Sequence, residues 1–404
     1  MAIEITLVTD SYSPKLDATS RLNQQLISRL SRIYNVSVLT SADSTDRDFL
    51  RQEITAEGIR KKIRRIPVIF DNTRNIFLKP LRYIFFALGV VVYLLTKKSS
   101  RYIYIIHSSP PILLPLFALL IWLNKVILLN RKRTLLIIHD LYPDIVFSAL
   151  RQRKINISWL ESKLITITST CYKQFDEIVC CSHGIQMRMM TKYFIEANRL
   201  HSLYNWSVDE YESLKIPLEK KQTQFLWIGN VGPLHLVSQV CAVLRLIATK
   251  IDSSTIQVFG NGRNANQMET NLIDLDTVKF KQHVPASVLR EEYAIKSCIT
   301  LVSLSAAASH CAMPSRIAYS LALGAPILYV TDTTKDNWIS DFIRSNYLGT
   351  VLTADMTETS IIQSIVQLLK DYEITSISCR SCYTKTMSAD LWSNEFISII
   401  NGEN

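Results

Sequence analysis

The sequence predicts an α/β protein of two domains in which parallel strands alternate with helices. Three observations lead there. The chain has 404 residues, too many for one ordinary core, so two domains of about 200 residues each are expected. Short apolar runs recur at intervals of roughly 30 residues, each followed by a polar loop and an amphipathic helix, which is the pattern of βα units. Two strand ends are also marked by glycine, Gly229-Asn230-Val231-Gly232 and Gly260-Asn261-Gly262. Glycine there lets backbone N–H groups approach a phosphate closely. Neither run completes a P-loop or a G-x-G-x-x-G fingerprint after its strand.

Composition bounds the function. Hydrophobic residues make up 48% of the chain and aromatic residues 9%, as expected of a folded protein. A net charge of +10 suits an anionic partner such as a membrane surface, a nucleic acid or a phosphorylated substrate. The eight cysteines show no secreted framework, and reduced thiols in a cytoplasmic protein fit best. Cys379 and Cys382 form a lone C-x-x-C without the second pair that a structural zinc site needs, so no metal is expected. MAIEITLVTD reads as a first strand rather than as a secretion signal.

In chain order, Ile3 to Thr9 is a buried-type strand, followed by a polar loop (Asp10 to Ser20), a helix (Leu22 to Ile33) and a strand (Val36 to Thr40). Arg60, Lys61, Lys62, Arg64 and Arg65 then form a basic run. Tyr83 to Thr96 is almost wholly apolar and flanked by Lys79, Arg82, Lys97, Lys98 and Arg101. Its fourteen residues fall short of the roughly 20 needed to cross a bilayer. It reads either as a core helix or as a helix in the membrane interface, and the nearby cations favour the interface. Ile112 to Leu129 reads as a crossover helix between strands at Tyr102 to His107 and Thr134 to Ile138.

The last of these strands runs into His139 and Asp140, placing both at a carboxyl end, where catalytic side chains gather in this architecture. Histidine titrates nearest neutrality and exchanges protons with little tuning. These two are the candidate catalytic residues. A helix (Ile157 to Tyr172), a strand (Glu177 to Cys181) and a helix led by Ser182-His183-Gly184 complete a first domain over residues 1–206. From Phe225 the alternation restarts in a second domain, 207–386, with a helix at Leu236 to Lys250. Cys298 to Asp332 reads as strand, loop, helix and strand, the helix having Pro314 at its first position and Gly324 just past its end. The free N–H groups of that helix favour an anion. Ile317, Ala318, Leu321 and Ala322 form the face that packs, with Ser315, Arg316, Tyr319 and Ser320 turned elsewhere. The final helix, Ala389 to Ile400 within a 387–404 segment, is expected to return to the first domain.

Nearly the whole chain resembles a family. TDSYSPKLDATSRLNQQLISRL, SSPP, HDLYPD, CSHGIQMRM, YNWSVDE, IGNVG, FGNG and above all MPSRIAYSLALGAPIL are similar to motifs of the large retaining glycosyltransferase family four. The likeness is to its branch making bacterial capsule, O-antigen and exopolysaccharide sugars. The resemblance implies a GT-B fold, with two Rossmann-like, doubly wound domains facing a central cleft, nucleotide-sugar held by the second and acceptor by the first. It implies no metal and no other cofactor. Gly229, Asn230 and Gly232 would lie against the donor phosphates, Gly260, Asn261 and Gly262 would border the base, and Pro314, Ser315 and Arg316 would meet the diphosphate, with Tyr319 beside them. His139 would sit at the sugar; Asp17, Ala18, Thr19 and Asn205 would line the cleft on the acceptor side.

The same resemblance implies a polyprenyl-diphosphate-linked glycan acceptor, met by a peripheral protein on the inner face of the cytoplasmic membrane. Where many relatives hold a pair of glutamates, this chain has Cys311 and Tyr319. Asn230 replaces an arginine, His235 lies near a usual lysine, and Arg316 or Arg263 is expected to supply the missing charge. A catalytically degenerate scaffold of a polysaccharide assembly is the alternative. Epimerisation of a UDP-sugar fits less well with the greasy helices. Nucleic acid is not expected, because aromatic residues do not interleave the Arg60 to Arg65 run.

Overall fold

The computed structural model describes residues 3–13, 18–42, 61–67, 79–96, 102–107, 113–126, 133–152, 155, 157–207, 223–252, 254–260, 262, 264–281 and 297–403. The chain divides into two compact units. The first comprises Met1–Pro143, Ile157–Leu203 and Ser393–Asn404, and the second Asp144–Asn156 and Tyr204–Trp392.

The first unit is a seven-stranded parallel sheet in the order β3-β2-β1-β4-β5-β6-β7. Its strands are β1 (Glu4–Val8), β2 (Asn35–Ala42), β3 (Lys61–Pro67), β4 (Tyr102–His107), β5 (Arg133–Ile138), β6 (Glu177–Cys180) and β7 (Leu200–Ser202). Glu4 of β1 aligns with Asn35 on one side and with Tyr102 on the other. Helices cover both faces, so the central strands carry nearly unbroken apolar runs such as Leu135, Leu136, Ile137 and Ile138, all buried. The helices are α1 (Ala18–Leu30), α2 (Lys79–Thr96), α3 (Leu113–Val126), α5 (Ser158–Tyr172) and α6 (His183–Tyr193), while α4 (Asp144–Gln152) belongs to the second unit. Ser182 caps α6, its Oγ accepting from Ile185 N at 3.2 Å.

One element differs from the sequence reading. The basic run becomes an edge strand, β3, registered against β2 from Val36↔Lys61 to Ala42↔Pro67. Cations suit an outer strand because like charge discourages pairing with another sheet. Gly89 of α2 faces Ile66 of β3, and a Cβ there would collide with the Ile66 side chain. The apolar helix therefore packs on the sheet through Phe86, Ala87, Val90 and Tyr93, all buried.

The second unit is a six-stranded parallel sheet, β10-β9-β8-β11-β12-β13. Its strands are β8 (Thr223–Ile228), β9 (Ser254–Phe259), β10 (Val278–Lys281), β11 (Ser297–Ser303), β12 (Ile327–Thr331) and β13 (Gly349–Thr353). Around it lie α7 (Val237–Lys250), α8 (Ala265–Leu272), α9 (Ala306–Ser309), α10 (Ser315–Leu323), α11 (Trp338–Ser345), α12 (Glu358–Lys370) and α13 (Tyr372–Thr386). The chain ends with α14 (Ala389–Asn401), whose residues from Ser393 on fall in the first unit. There Tyr34 Oη donates to Asn401 Oδ1 (2.9 Å) and Arg133 Nη1 to the Ile400 carbonyl (2.7 Å).

Strand alternation sorts the core of this unit onto two faces. Phe225 and Trp227 join Ile299, Leu301, Leu328 and Val330 in one cluster, whereas Leu226 joins Cys298, Val302, Ile327 and Tyr329 in the other. The second cluster receives α10 through Ile317, Ala318, Leu321 and Ala322, together with Cys379 and Cys382 of α13. All eight cysteines are free and buried, and burial pushes the Cys379 thiol well above its ordinary range. Among the described residues no group of three or more His, Cys, Asp or Glu is arranged to hold a metal ion.

The helix expected after Pro314 forms with two corrections. Pro314 (φ −58°, ψ 121°) is the N-cap rather than the first helical residue, and Gly324 (φ 65°) terminates α10 in the left-handed conformation. The helix is also buried on more than one face: Arg316 and Ser320, read as turned away from the core, are 6% and 1% exposed.

Candidate functional site

In an open parallel sheet, ligands bind beyond the carboxyl ends of two adjacent strands whose connections run to opposite sides. The second unit has this arrangement at β8 and β11, and the glycine-rich loops lie there. Gly229 (φ 96°), Gly260 (φ 156°) and Gly262 (φ 126°) all occupy backbone conformations that disfavour side chains. They are also pressed together. A Cβ on Gly260 would collide with the Gly229 carbonyl oxygen, and one on Gly262 would lie 2.9 Å from Val231 N. Gly229 N donates to the Phe259 carbonyl (2.8 Å) and Asn264 N to the Val231 carbonyl (3.1 Å), so the two loops are joined backbone to backbone. Gly232 differs, since a Cβ would meet only His235 Cδ2, at 3.8 Å. Asn230 is exposed. Asn261 and Arg263 lie outside the described residues.

The cation at these loops comes from α10. Arg316 Nη2 donates to the Asn230 carbonyl (3.0 Å) and lies 3.5 Å from His235 Nε2, while its Cζ sits 4.2 Å from the centroid of the Trp227 ring. The Trp227 indole N–H in turn donates to the Gly229 carbonyl (3.1 Å). Arg316 is buried, its Nη1 has no hydrogen-bond partner among the described residues, and none of their carboxylates pairs with it. Burial lowers its pKa to about 9, which still leaves the guanidinium charged at neutral pH. Burying a charge without a counter-ion is costly, and an anion delivered to Nη1 would relieve that cost. Pro314 supplies no side-chain acceptor to the first turn of α10, which leaves the helix N-terminus favourable to the same anion.

Ser315 is half-buried beside Arg316, and Tyr319 is partly buried against the core. Cys311 is fully buried, 3.7 Å from the Ala307 carbonyl. Sequence reasoning named Gly229, Asn230 and Arg316, and the structure brings all three together. It missed Trp227, because an indole inside an apolar strand reads as core; only its place two residues before Gly229 signals the platform beneath Arg316.

The first unit has its own such position, at β1 and β4. Past β1, Asp10 Oδ1 accepts from Ser41 Oγ (2.5 Å) and Arg82 Nη2 (3.3 Å), and Arg82 Nη2 also donates to Ser41 Oγ (3.0 Å). Ala18 and Thr19 open α1, exposed and half-buried respectively, and Asp17 lies outside the described residues. At the end of β4, His107 is buried with no partner for either ring nitrogen among the described residues. Its ring stacks on that of His139 at a centroid distance of 5.0 Å. Burial first, and His139 second, push His107 well below the usual imidazole range, so it is neutral. The Cys181 thiol donates to the His139 carbonyl (2.9 Å). Burial raises Asp140 to about 6, and burial together with Asp140 and Tyr83 raises the Tyr142 phenol to about 12.

The result is a neutral His107 imidazole stacked on the His139 ring, beside a carboxyl group raised to about 6. His107 was not anticipated: a histidine closing an apolar strand carries no signal until its register beside β5 is known. Asn205 is half-buried in the second unit. Its neighbours are aromatic anchors, Tyr204 stacking on Trp338 (6.0 Å) and Trp206 packing on Trp392 (4.7 Å).

Whole-chain comparison with solved structures identifies the architecture. A lipopolysaccharide outer core galactosyltransferase, WaaB, superposes with a TM-score of 0.64 at 14% identity, covering 100% of both chains. HepE from Anabaena, in complex with UDP and glucose, gives 0.65 at 10% identity over 99% of this chain and 100% of that one. TarM gives 0.67 at 11% identity over 99% of each. The fold is GT-B. No family model matches the sequence, and no curated protein matches it either. At these identities the GT-B likeness is one of backbone architecture, and the residues at the two switch points carry the functional argument.

Proposed function

We propose that this GT-B protein is a retaining glycosyltransferase of surface polysaccharide biosynthesis. It would transfer a hexosyl or N-acetylhexosaminyl group from a nucleotide diphosphate sugar to a polyprenyl-diphosphate-linked glycan. The observation that carries the reading is Arg316, a buried guanidinium with no counter-ion among the described residues, beside two interlocked glycine loops. A diphosphate is the chemistry that answers it, because charge-assisted hydrogen bonds to Nη1 and to loop and helix N–H groups replace the water the cation lost. The solved HepE structures contain UDP, UDP-glucose, or UDP with glucose. In this reading Arg316 and the N-terminus of α10 stabilise charge on the departing diphosphate without a metal. Gly229, Asn230 and Gly232 line the phosphates and Gly260 to Gly262 border the base. In the first unit His139, backed by the neutral ring of His107, presents its imidazole to sugar hydroxyls, and Asp140 exchanges a proton.

A lipid-linked acceptor is supported by the outer surface of the first unit. No helix among the described residues is long and apolar enough to cross a membrane. Leu81, Phe85, Leu88 and Val92 nevertheless make one exposed stripe on α2, and Leu119, Trp122 and Val126 another on α3. α3 packs beside α2 on one flank and α5 on the other. On α5, Trp159 is 68% exposed with Lys163 Nζ 5.9 Å from its ring centroid. Apolar residues bordered by cations suit the interface of an anionic membrane. The protein would then work peripherally on the inner face of the cytoplasmic membrane.

The activity test incubates the protein with membranes and a panel of UDP- and GDP-sugars and measures the nucleoside diphosphate released. Release with one donor is expected; none with any donor, together with no donor binding by calorimetry, would overturn the reading. A second reading rests on Cys311 and Tyr319, which supply no carboxylate and pack into or against the core. It makes the protein a catalytically degenerate scaffold. Binding of a nucleotide-sugar without turnover on any membrane fraction would favour it.

A further inference from the structure

The guanidinium of Arg316 has to be aimed as well as charged, and the aiming falls to a residue without charge. His235 closes a short turn after the first glycine loop, its N donating to the Gly232 carbonyl (3.2 Å). Its Nδ1 faces the Ser303 carbonyl at the end of β11. A carbonyl can only accept, so Nδ1 carries the proton and Nε2 is left with a lone pair. That lone pair is 3.5 Å from Arg316 Nη2. The ring stands edge-on to Trp227, with centroids 5.2 Å apart and planes at 85°. Leu236 N donates to Ser303 Oγ (3.2 Å), fixing the same turn a second time.

We propose that His235 is the positioning residue of the anion site: a neutral Nδ1–H imidazole whose Nε2 acceptor, together with the Asn230 carbonyl, occupies Nη2 of Arg316 and turns Nη1 toward the ligand. The proposal rests on reading the site as one for a nucleotide diphosphate. Nη2 has two N–H bonds, one taken by Asn230 and the other facing His235, with the Trp227 ring beneath the plane. Rotating the fork would give up all three contacts. An ammonium at this position would repel the guanidinium, whereas a neutral acceptor orients it. Among the described residues the charged group brought against His235 is Arg316, on α10; β11 contributes the Ser303 carbonyl and β8 the Trp227 indole, and the Asn230 carbonyl, in the loop after β8, also approaches the imidazole. Burial first, and Arg316 second, hold the imidazole down to about 3, so the acceptor persists at physiological pH.

The test uses the whole chain with UDP as probe. In protein labelled with ¹³C and ¹⁵N at histidine, the His235 imidazole should remain in the neutral Nδ1–H tautomer from pH 5 to pH 8, and Arg316→Gln should raise its titration toward the ordinary imidazole range. By calorimetry, His235→Gln, which returns an acceptor near the Nε2 position, should bind UDP within about threefold of wild type. His235→Asn keeps a donor for Ser303 but offers nothing to Arg316, and should bind about tenfold more weakly. An Nε2–H tautomer, an imidazole titrating near its ordinary value in the wild type, or equal UDP affinity for His235→Asn and wild type would overturn the proposal. Wild-type protein that shows the expected tautomer and Arg316 coupling but binds no nucleotide would overturn the nucleotide reading and leave the positioning role standing.

Discussion

The two switch points share a topology and differ in what fills them. At β8 and β11 the loops carry glycine, and one cation is buried with no counter-ion among the described residues. At β1 and β4 the equivalent position holds stacked imidazoles, a carboxyl group with a raised pKa, and a cation, Arg82, that does have an acid partner in Asp10. A parallel sheet provides a crevice in both cases, and the side chains decide what chemistry enters it. Under the proposed reading the second unit would take a fixed anion, and the first would take hydroxyls and protons.

The largest effect should come from breaking the loop contact that distinguishes the second unit. Gly260→Ala puts a Cβ against the Gly229 carbonyl at a φ of 156°, and should cost about 4 kcal/mol of stability in denaturant unfolding; Gly232→Ala, where a Cβ has room, should cost little. Next, Arg316→Gln should weaken UDP binding by about a hundredfold in calorimetry, the loss expected for one or two charge-assisted hydrogen bonds of about 1.5–3 kcal/mol each. His107→Phe in the first unit should leave that binding unchanged.

A smaller effect sharpens the proton-exchanging side. A carboxyl raised from its ordinary value to about 6 binds its proton more tightly in the folded state, so its burial destabilises the fold as pH rises from about 4 through about 6. Asp140→Asn should remove that slope, and above pH 7 it should be more stable than wild type by about 3 kcal/mol, read from unfolding curves at a series of pH values. The smallest effect on folding belongs to the outer apolar stripe. Leu88 and Val92 are 54% and 64% exposed, so Leu88→Lys with Val92→Glu should change stability by less than about 0.5 kcal/mol. The same pair should reduce co-sedimentation with vesicles of mixed neutral and anionic phospholipid about threefold.

Much of this architecture was legible in the sequence because its signals are local. Buried parallel strands read as unbroken apolar runs, and Gly324 marks a helix end through a backbone conformation that other residues resist. Gly229 and Gly260 were visible for the same reason. Contacts made across the sheet were less legible. The burial of Arg316 against Trp227 joins α10 to β8, and the stacking of His107 on His139 joins β4 to β5; neither pairing follows from spacing along the chain. β3 was read as a charge run because a basic edge strand and a solvated loop look alike until a neighbour's register is known. The outward face assigned to Ser320 failed because a helix between two other packed layers buries more than one face.

The buried guanidinium of Arg316, with no counter-ion among the described residues, also ties an anion to the stability of the fold. A ligand that binds only the folded chain adds stability by mass action, about 2.7 kcal/mol at one hundred times its dissociation constant. Under the proposed reading that contribution would enter where β8, β11 and α10 meet, and nucleotide supply would set how much of the second unit's chain stands folded at any moment. The donor would, under the same reading, be both a reactant and a ligand that protects the unit against unfolding, and depletion of the sugar nucleotide would leave the protein more open to proteolysis.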